Sequence, residues 1–211
     1  MIKVRLPVKF NDGKQLYDAA LKLIGRVSPV MAQIIHSKPD FNPFSVQLPD
    51  IICIMEPSLE IAVSQLPNTE IVSQMDFREC FTENPASLIE LSFLNTFFKK
   101  AQTSYPLPDP WLMIGAWKNR WNSLLPARVG IEIPIENKRK SEKIQVRRAN
   151  INTLRVQIAD YQPNIAFCGS VRLKWLGDEK ELREFVALAR FAEFSGTGAK
   201  TTMGCGVTRL G

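Results

Sequence analysis

The sequence predicts an α+β protein built from two related units. Short segments in which apolar residues alternate are typical of strands, and they are interspersed with longer segments that repeat apolar residues at helical spacing. Their order is strand–helix–strand, an ambiguous stretch at residues 50–85, and then strand–helix–strand–strand–helix–strand. The second series matches a ferredoxin-like βαββαβ unit. The first series is a shortened version of it, so we expect two tandem ferredoxin-like domains at residues 1–85 and 86–211.

The first unit opens with "IKVRLPVKF", in which Ile2, Val4, Leu6 and Val8 alternate with polar residues, as in a half-buried strand. A helix is predicted over residues 14–27. The pair Ser28-Pro29 then suits the start of a second, short helix that ends near His36. "NPFSVQL" and "IICIM" favour strands and "PSLEIAVSQL" favours a helix, whereas "TEIVSQMDF" fits either a strand or a helix.

The second unit is more regular. "SLIELSFL" predicts a strand and "AQTSYPLPDP" a proline-rich connector, after which Asp109 and Pro110 suit the start of a helix. "TLRVQIADYQ" and "IAFCGSVRLKW" predict strands. Asp178, with Glu181 three positions later, predicts the start of a long helix that Gly196 ends. The last strand is predicted over "TTMGCGVTRL".

Composition excludes several classes of protein. The net charge of +6 and the pI of about 9.2 favour a polyanionic partner, nucleic acid before a membrane surface. Four widely spaced cysteines without a nearby histidine argue against a zinc site, and the absence of a signal peptide argues against a disulfide framework. No apolar run is long enough to span a membrane. We therefore expect a cytoplasmic protein without a metal or cofactor, whose one histidine, His36, excludes a two-histidine mechanism within the chain.

The segment "FSGTGAKTTMGCG", residues 194–206, resembles a phosphate-binding loop in its four glycines and its Lys-Thr-Thr sequence. The two glycines that such a loop requires before Lys200 would be at Phe194 and Ala199, and no helix of useful length can follow, so we exclude nucleotide hydrolysis. Two interpretations stay open. The glycines end a helix and shape a strand, or Gly196 and Gly198 admit a phosphodiester chain. In the second case the donors would be Lys200, Thr201 and Thr202.

Taken together, several segments resemble the Cas6 family, the CRISPR-associated repeat-RNA endoribonucleases of the repeat-associated (RAMP) superfamily. They are "AQIIHSKPDFNPFSVQL", "SLIELSFLNTFFKK", "YPLPDPWLMIGAWKNRWN", "IAFCGSVRLKW" and "LARFAEFSGTGAKTTMGCG". The resemblance implies tandem ferredoxin-like folds and metal-independent cleavage of CRISPR repeat RNA in precursor transcripts. In that reaction the ribose 2′-hydroxyl attacks the neighbouring phosphate and leaves a 2′,3′-cyclic phosphate and a 5′-hydroxyl.

The resemblance also implies site residues. The family's catalytic histidine lies between the first helical segment and the "PFS" strand, which is the position of His36. Histidine can serve as base or acid at neutral pH, so with one histidine the second role falls to Lys38 or Tyr17. The alternatives are a histidine that caps carbonyl groups at a helix end, a solvated lysine and a partly buried phenol.

A basic run is the other candidate RNA-binding feature. It comprises Lys138, Arg139, Lys140, Lys143, Arg147 and Arg148, with Glu142 as the counter-charge inside it. Such a run is either a solvated loop or an arm that contacts RNA phosphates, and Arg155, Arg172 and Lys174 would extend it. The alternative function is a non-catalytic RNA-binding RAMP subunit of a CRISPR effector complex. Assembly into such a complex and formation of a homodimer stay open.

Overall fold

The computed structural model describes residues 1–38, 41–67, 69–101, 103–124, 143–159 and 162–211. The basic residues Lys138, Arg139 and Lys140 lie outside these ranges. The described residues form two four-stranded antiparallel sheets and a two-stranded hairpin, with helices packed on the sheets. No helix in these ranges is long and apolar enough to cross a membrane.

The first unit contains all the elements of a ferredoxin-like fold within its first 74 residues. Its elements are β1 (Ile2–Arg5), α1 (Gly13–Val27), α2 (Pro29–Ser37), β2 (Phe44–Gln47), β3 (Ile51–Ile54), α3 (Pro57–Ser64) and β4 (Glu70–Gln74), followed by a 3₁₀ turn, Phe77–Cys80. Its sheet order is β2-β3-β1-β4. The strands have only four or five residues, which agrees with the predicted shortening.

The second unit repeats this topology with longer strands. Its elements are β5 (Leu88–Thr96), β6 (Phe98–Lys100), β7 (Thr103–Tyr105), α4 (Pro110–Leu124), β8 (Ile144–Val156), β9 (Asn164–Trp175), α5 (Glu179–Ser195), a 3₁₀ turn (Thr201–Met203) and β10 (Val207–Leu210). Its sheet order is β10-β5-β9-β8. When the four sheet strands of each unit are numbered in sequence, both sheets read 4-1-3-2. The predicted pair of tandem ferredoxin-like folds is confirmed.

Four sequence predictions need correction. The strand predicted at residues 153–162 starts earlier, at Ile144 inside the basic run, and ends at Val156. The first strand ends at Arg5, two residues before Pro7, which lacks a backbone N–H. The predicted connector at residues 101–110 includes β7, which pairs with β6 as a hairpin before the prolines begin. The last strand starts only at Val207, because positive φ angles at Lys200, Gly204 and Gly206 are incompatible with a continuous strand.

The two units are packed together through α5. One face of the first sheet packs on α1, α2 and α3, where Ile2, Val4 and Phe44 are fully buried. The opposite face contributes Met1, Cys53 and Met55 to the large core of the second unit. Most of the first sheet is therefore covered on both faces, whereas all five residues of its edge strand β4 are exposed.

The second sheet, by contrast, has one open face. Its inward residues, such as Leu91 and Leu173, pack with α4 and α5 in the large core. The residues between them point outward, and Ser92, Arg148 and Asn150 are exposed. This open face lies entirely on the second unit.

Candidate active site

His36 lies in the last turn of α2 with an exposed side chain. Ser28 caps the start of the helix, because its hydroxyl accepts a hydrogen bond from the N–H of Met31. At the other end the Ile34 carbonyl accepts from the Lys38 N–H at 2.9 Å and from the Ser37 hydroxyl at 3.1 Å. The Ile34 carbonyl at this helix end is thus bonded to the backbone and to Ser37, and the His36 side chain does not cap it. Among the described residues the imidazole has no hydrogen-bond partner, so both of its nitrogens are available to a ligand.

Tyr17 is half-buried on α1, and its ring stacks on Phe44 at the start of β2, with the ring centroids 5.8 Å apart. Burial raises the pKa of the Tyr17 phenol above its usual value, and the charge of Asp18 raises it further. The hydroxyl therefore stays protonated at neutral pH. It can donate a hydrogen bond or a proton, but it is a poor candidate for a base.

Lys38 is the exposed residue that follows α2, and its carbonyl accepts from the Phe41 N–H at 3.0 Å. The Phe41 ring packs against the cores of both units, which fixes the chain just after the histidine. The three predicted catalytic residues thus lie on two helices that pack together, α1 and α2, and on the residue that follows α2.

The glycine-rich segment is a helix end folded back on the strands beside it. Gly196 ends α5 at φ +72°, and the Thr197 N–H donates to the Gly206 carbonyl at 2.7 Å. A Cβ at Gly198 would lie 2.3 Å from the Phe97 carbonyl oxygen, and one at Gly206 would lie 2.0 Å from that of Thr197. These glycines are required by contacts within the protein itself. The structural interpretation of the segment therefore has direct support, and contact of Gly196 and Gly198 with RNA stays a prediction.

Buried hydrogen bonds hold this segment in place. The Trp117 indole N–H donates to the Thr197 hydroxyl at 2.8 Å, and the hydroxyls of Thr197 and Thr208 lie 2.6 Å apart. The Arg120 guanidinium donates to the Ser195 carbonyl, at the negative end of α5. Burial lowers the Arg120 pKa to about 10, so the group is still charged at neutral pH. The sequence does not predict these hydrogen bonds, because most of them join positions far apart in the chain.

The predicted donors of the segment differ in how far they reach the surface. Lys200 and Thr202 are partly exposed, whereas Thr201 is 2% exposed and its hydroxyl oxygen is buried. Lys200 lines a groove of about 590 Å³ together with Lys99 and Asn164. Burial argues against a direct contact between Thr201 and RNA, and leaves the other two as the accessible donors.

Comparison with known proteins decides the family. The family model described as "CRISPR-associated endoribonuclease Cas6" matches residues 91–208, more than half of the 211-residue chain. This chain belongs to the Cas6 family. Membership makes it an endoribonuclease of CRISPR RNA processing. A sequence comparison with curated proteins gave no match.

Solved structures of Cas6 proteins share the whole fold. A Cas6 product complex is 21% identical, with a TM-score of 0.77 over 100% of this chain and 98% of that one. Thermus thermophilus Cas6 is 21% identical, with a TM-score of 0.69 over 99% and 96%. A Cas6 mutant with a histidine replaced by alanine is 19% identical, with a TM-score of 0.73 over 100% and 98%. At these identities the likeness establishes the fold.

Some basic residues of this Cas6 protein form ion pairs with described residues, and others do not. Lys143 forms an ion pair with Glu181 at 2.5 Å. Arg147 and Arg148 lie exposed on β8, an edge strand, and no ion pair joins either to a described residue. On the open face Arg172 pairs with Glu90 at 2.6 Å, and its hydrogen bond is the main cause that lowers the Glu90 pKa.

Three of the four cysteines of this Cas6 protein are buried and are not candidate nucleophiles. Burial raises the pKa of the Cys53 thiol to about 11, and the pKa values of Cys80 and Cys205 to about 12. These thiols stay protonated at neutral pH, whereas the nucleophilic form of cysteine is the thiolate. In the described ranges no three His, Cys, Asp or Glu side chains converge as a ligand cluster for a metal ion.

Proposed function

We propose that this Cas6 protein cuts CRISPR repeat RNA in precursor transcripts by metal-independent transesterification, which yields mature guide RNAs. The 2′-oxygen attacks the neighbouring phosphorus and the bond to the 5′-oxygen breaks, leaving a 2′,3′-cyclic phosphate and a 5′-hydroxyl. The observation that carries the proposal is the exposed imidazole of His36 at the end of α2, which no described residue hydrogen-bonds, in a chain of this family.

The reaction needs a base, an acid and positive charge, and the candidate site contains one group suited to each. His36 takes the proton from the 2′-hydroxyl, which is the role that the protonated phenol of Tyr17 cannot fill. Tyr17, whose phenol is protonated at neutral pH, donates to the departing 5′-oxygen. Lys38 supplies charge that stabilises the negative phosphorane. One of the similar structures is a Cas6 mutant in which a histidine is replaced by alanine.

In this proposal the second unit supplies most of the residues that bind RNA. Arg147 and Arg148 on β8 contact backbone phosphates, as do Lys200 and Thr202 beside the glycine-rich segment. Lys138, Arg139 and Lys140 precede β8 in the sequence, and we propose that they also bind RNA phosphates. We divide the chain functionally at Pro85, with the catalytic histidine before it and the glycine-rich segment after it.

The experiment that tests the chemistry is cleavage of a repeat RNA in excess EDTA. We expect full activity in EDTA, a product with a 2′,3′-cyclic phosphate, and no cleavage when the scissile nucleotide carries a 2′-deoxyribose. Activity that disappears in EDTA and returns with a divalent cation would contradict the proposed mechanism. Tight binding of repeat RNA without cleavage under any condition would favour the non-catalytic RAMP subunit.

A further inference from the structure

An apolar groove of about 320 Å³ lies on the first unit, and neither the proposed chemistry nor the candidate RNA-binding residues use it. We call it the α1 groove, because it is lined by one side of α1, by the chain after β1 and by the turn before β4. Its large apolar lining residues are Leu6, Pro7, Val8, Phe10, Leu23 and Pro67. Its volume is at the lower end of the range for ligand sites, so it suits a few side chains.

The core beneath the α1 groove holds it in shape. Leu6 and Phe10 pack against the core of the first unit. The N–H of Leu6 donates to the Asp50 carbonyl at 2.9 Å, and that of Phe10 donates to the Pro49 carbonyl at 2.8 Å. Between these two anchored residues Val8 is 57% exposed, although it is a large apolar residue. The apolar surface is therefore present before any ligand binds.

The charged side chains that line the α1 groove are both positive. Lys22 and Arg26 are exposed on α1, one helical turn apart, and no ion pair joins either of them to a described residue. Among the described residues that line the groove, none is acidic and Thr69 is the one neutral polar residue. The surface that complements this groove is an apolar side chain flanked by carboxylates.

An edge strand begins beside the α1 groove. Thr69, which lines the groove, directly precedes β4, and all five residues of β4 are exposed. The apolar side chains Ile71 and Val72 of this strand are 42% and 36% exposed. No described strand pairs with the outer edge of β4, so this edge is one to which an extended segment can add as a further strand. The groove and the edge together favour an extended stretch of protein as the ligand.

The α1 groove lies on the side of α1 that faces away from the candidate catalytic residue Tyr17. Lys22 and Arg26 are five and nine positions after Tyr17 in the same helix. At about 100° per residue they lie about 140° and about 180° round the helix axis from it. A ligand in the groove therefore leaves Tyr17 accessible.

We propose that the α1 groove is a docking site for an acidic, extended segment of a partner protein. An apolar side chain of that segment enters the groove, its carboxylates pair with Lys22 and Arg26, and the adjoining residues add to β4 as a strand. An RNA backbone would match the two cations but not the apolar lining, so we commit to a protein segment. This docking does not depend on the proposed chemistry.

The test uses the full chain and a fluorescent ten-residue peptide in which leucine and glutamate alternate, so that an extended conformation separates leucines and carboxylates onto opposite sides. We expect saturable binding by fluorescence anisotropy. Val8→Asp and the double variant Lys22→Glu/Arg26→Glu should each raise Kd at least about tenfold, because each places carboxylates against those of the peptide. Bound peptide should also slow amide hydrogen exchange at residues 70–74 of β4.

Matched control variants make the same changes outside the α1 groove. Val30→Asp introduces a carboxylate at a valine that is 69% exposed on α2. Arg78→Glu/Lys180→Glu reverses two exposed cations that do not line the groove. Both should keep Kd within about twofold of the wild-type value. A peptide with lysine in place of glutamate should not bind.

Three results would overturn the proposal: no saturable binding of the leucine–glutamate peptide, equal affinity in the groove variants and the wild type, or unchanged exchange in β4. Competition between the peptide and a 2′-deoxy repeat RNA, with RNA affinity lost in Lys22→Glu/Arg26→Glu, would assign the groove to RNA instead. A sedimentation mass of two chains that Val8→Asp reduces to one would assign it to a second copy of this chain. Cleavage of repeat RNA in EDTA reports separately on the proposed function.

Discussion

The two units have the same topology but are built differently. The strands of the first sheet have four or five residues, whereas β5, β8 and β9 have 9, 13 and 12. Most of the first sheet, except its exposed edge strand β4, is covered by its own helices on one face and by α5 on the other. The second sheet keeps an open face with exposed arginines. The comparison indicates that the first unit is a compact support for the helices that carry His36 and Tyr17. The second unit offers the long surfaces that a polyanion needs.

A few hydrogen bonds join the two units. The Ser45 hydroxyl of β2 donates to the Phe194 carbonyl, and the Gln47 side chain donates to the Glu193 carbonyl at 3.0 Å. The Lys3 ammonium lies 5.0 Å from the centre of the Phe194 ring. The "PFS" strand and the "FSGTG" segment of the sequence therefore meet in space, and the end of α5 fixes both the first sheet and the glycine-rich segment.

The largest expected effect is on the free energy of unfolding. It compares a glycine of the glycine-rich segment, Gly198, with a glycine in a helix of the first unit, Gly25. Gly198→Ala places a Cβ against the Phe97 carbonyl and an alanine at φ +83°, so we expect a loss of about 2–5 kcal/mol in the free energy of unfolding. Gly25→Ala in α1 meets only the Ala32 Cβ at 3.9 Å and should gain up to about 1 kcal/mol. Urea denaturation measures both. Equal stabilities would show that the segment is not held as described.

A smaller effect tests the role of Tyr17 in the first unit. Tyr17→Phe keeps the ring that stacks on Phe44 but removes the hydroxyl, so we expect cleavage to slow about 10- to 100-fold with RNA affinity unchanged. Because burial raises the phenol pKa, the hydroxyl stays protonated to above pH 9, and the wild-type to mutant rate ratio should be constant from pH 6 to 9. A ratio that rises with pH over this range would identify a phenolate base instead.

The smallest effect concerns the open face of the second unit. Glu90→Gln removes the partner of Arg172 and frees a cation for phosphate, so we expect RNA affinity to rise about two- to fivefold at low salt and the gain to shrink as salt increases. Glu79→Gln, in a 3₁₀ turn after the first sheet, is the control and should change affinity little. An affinity for RNA that stays unchanged at low salt in Glu90→Gln would show that the open face does not contact RNA.

The regular elements could be predicted from the sequence, because their apolar residues repeat at the spacing of the element. Residues 14–27 and the long helix after Asp178 were found in this way. The β6–β7 hairpin was missed, since strands of three residues contain too few positions to show a period. The sequence predicts a strand at residues 201–203, where the structure has a 3₁₀ turn. The residue type of Lys200 does not indicate its left-handed backbone conformation.

The site was predictable in part, for a similar reason. The position of His36 followed from the resemblance of nearby segments to Cas6. The exposure of its imidazole and the burial of Thr201 depend on contacts between residues remote in sequence. Ser45 and Phe194, for instance, are 149 positions apart. Only the folded chain shows such pairs.

The central claim is that the first unit supplies the catalytic group and the second unit supplies the affinity. Its most direct test compares His36→Ala with the double variant Arg147→Glu/Arg148→Glu, measuring cleavage of repeat RNA and the Kd for its 2′-deoxy analogue. We expect His36→Ala to slow cleavage about 10²- to 10⁴-fold with Kd within about twofold of the wild-type value. The double variant should raise Kd at least about tenfold and lower the salt dependence of binding. Cleavage at the wild-type rate by His36→Ala, or an equal loss of affinity in both variants, would contradict the account.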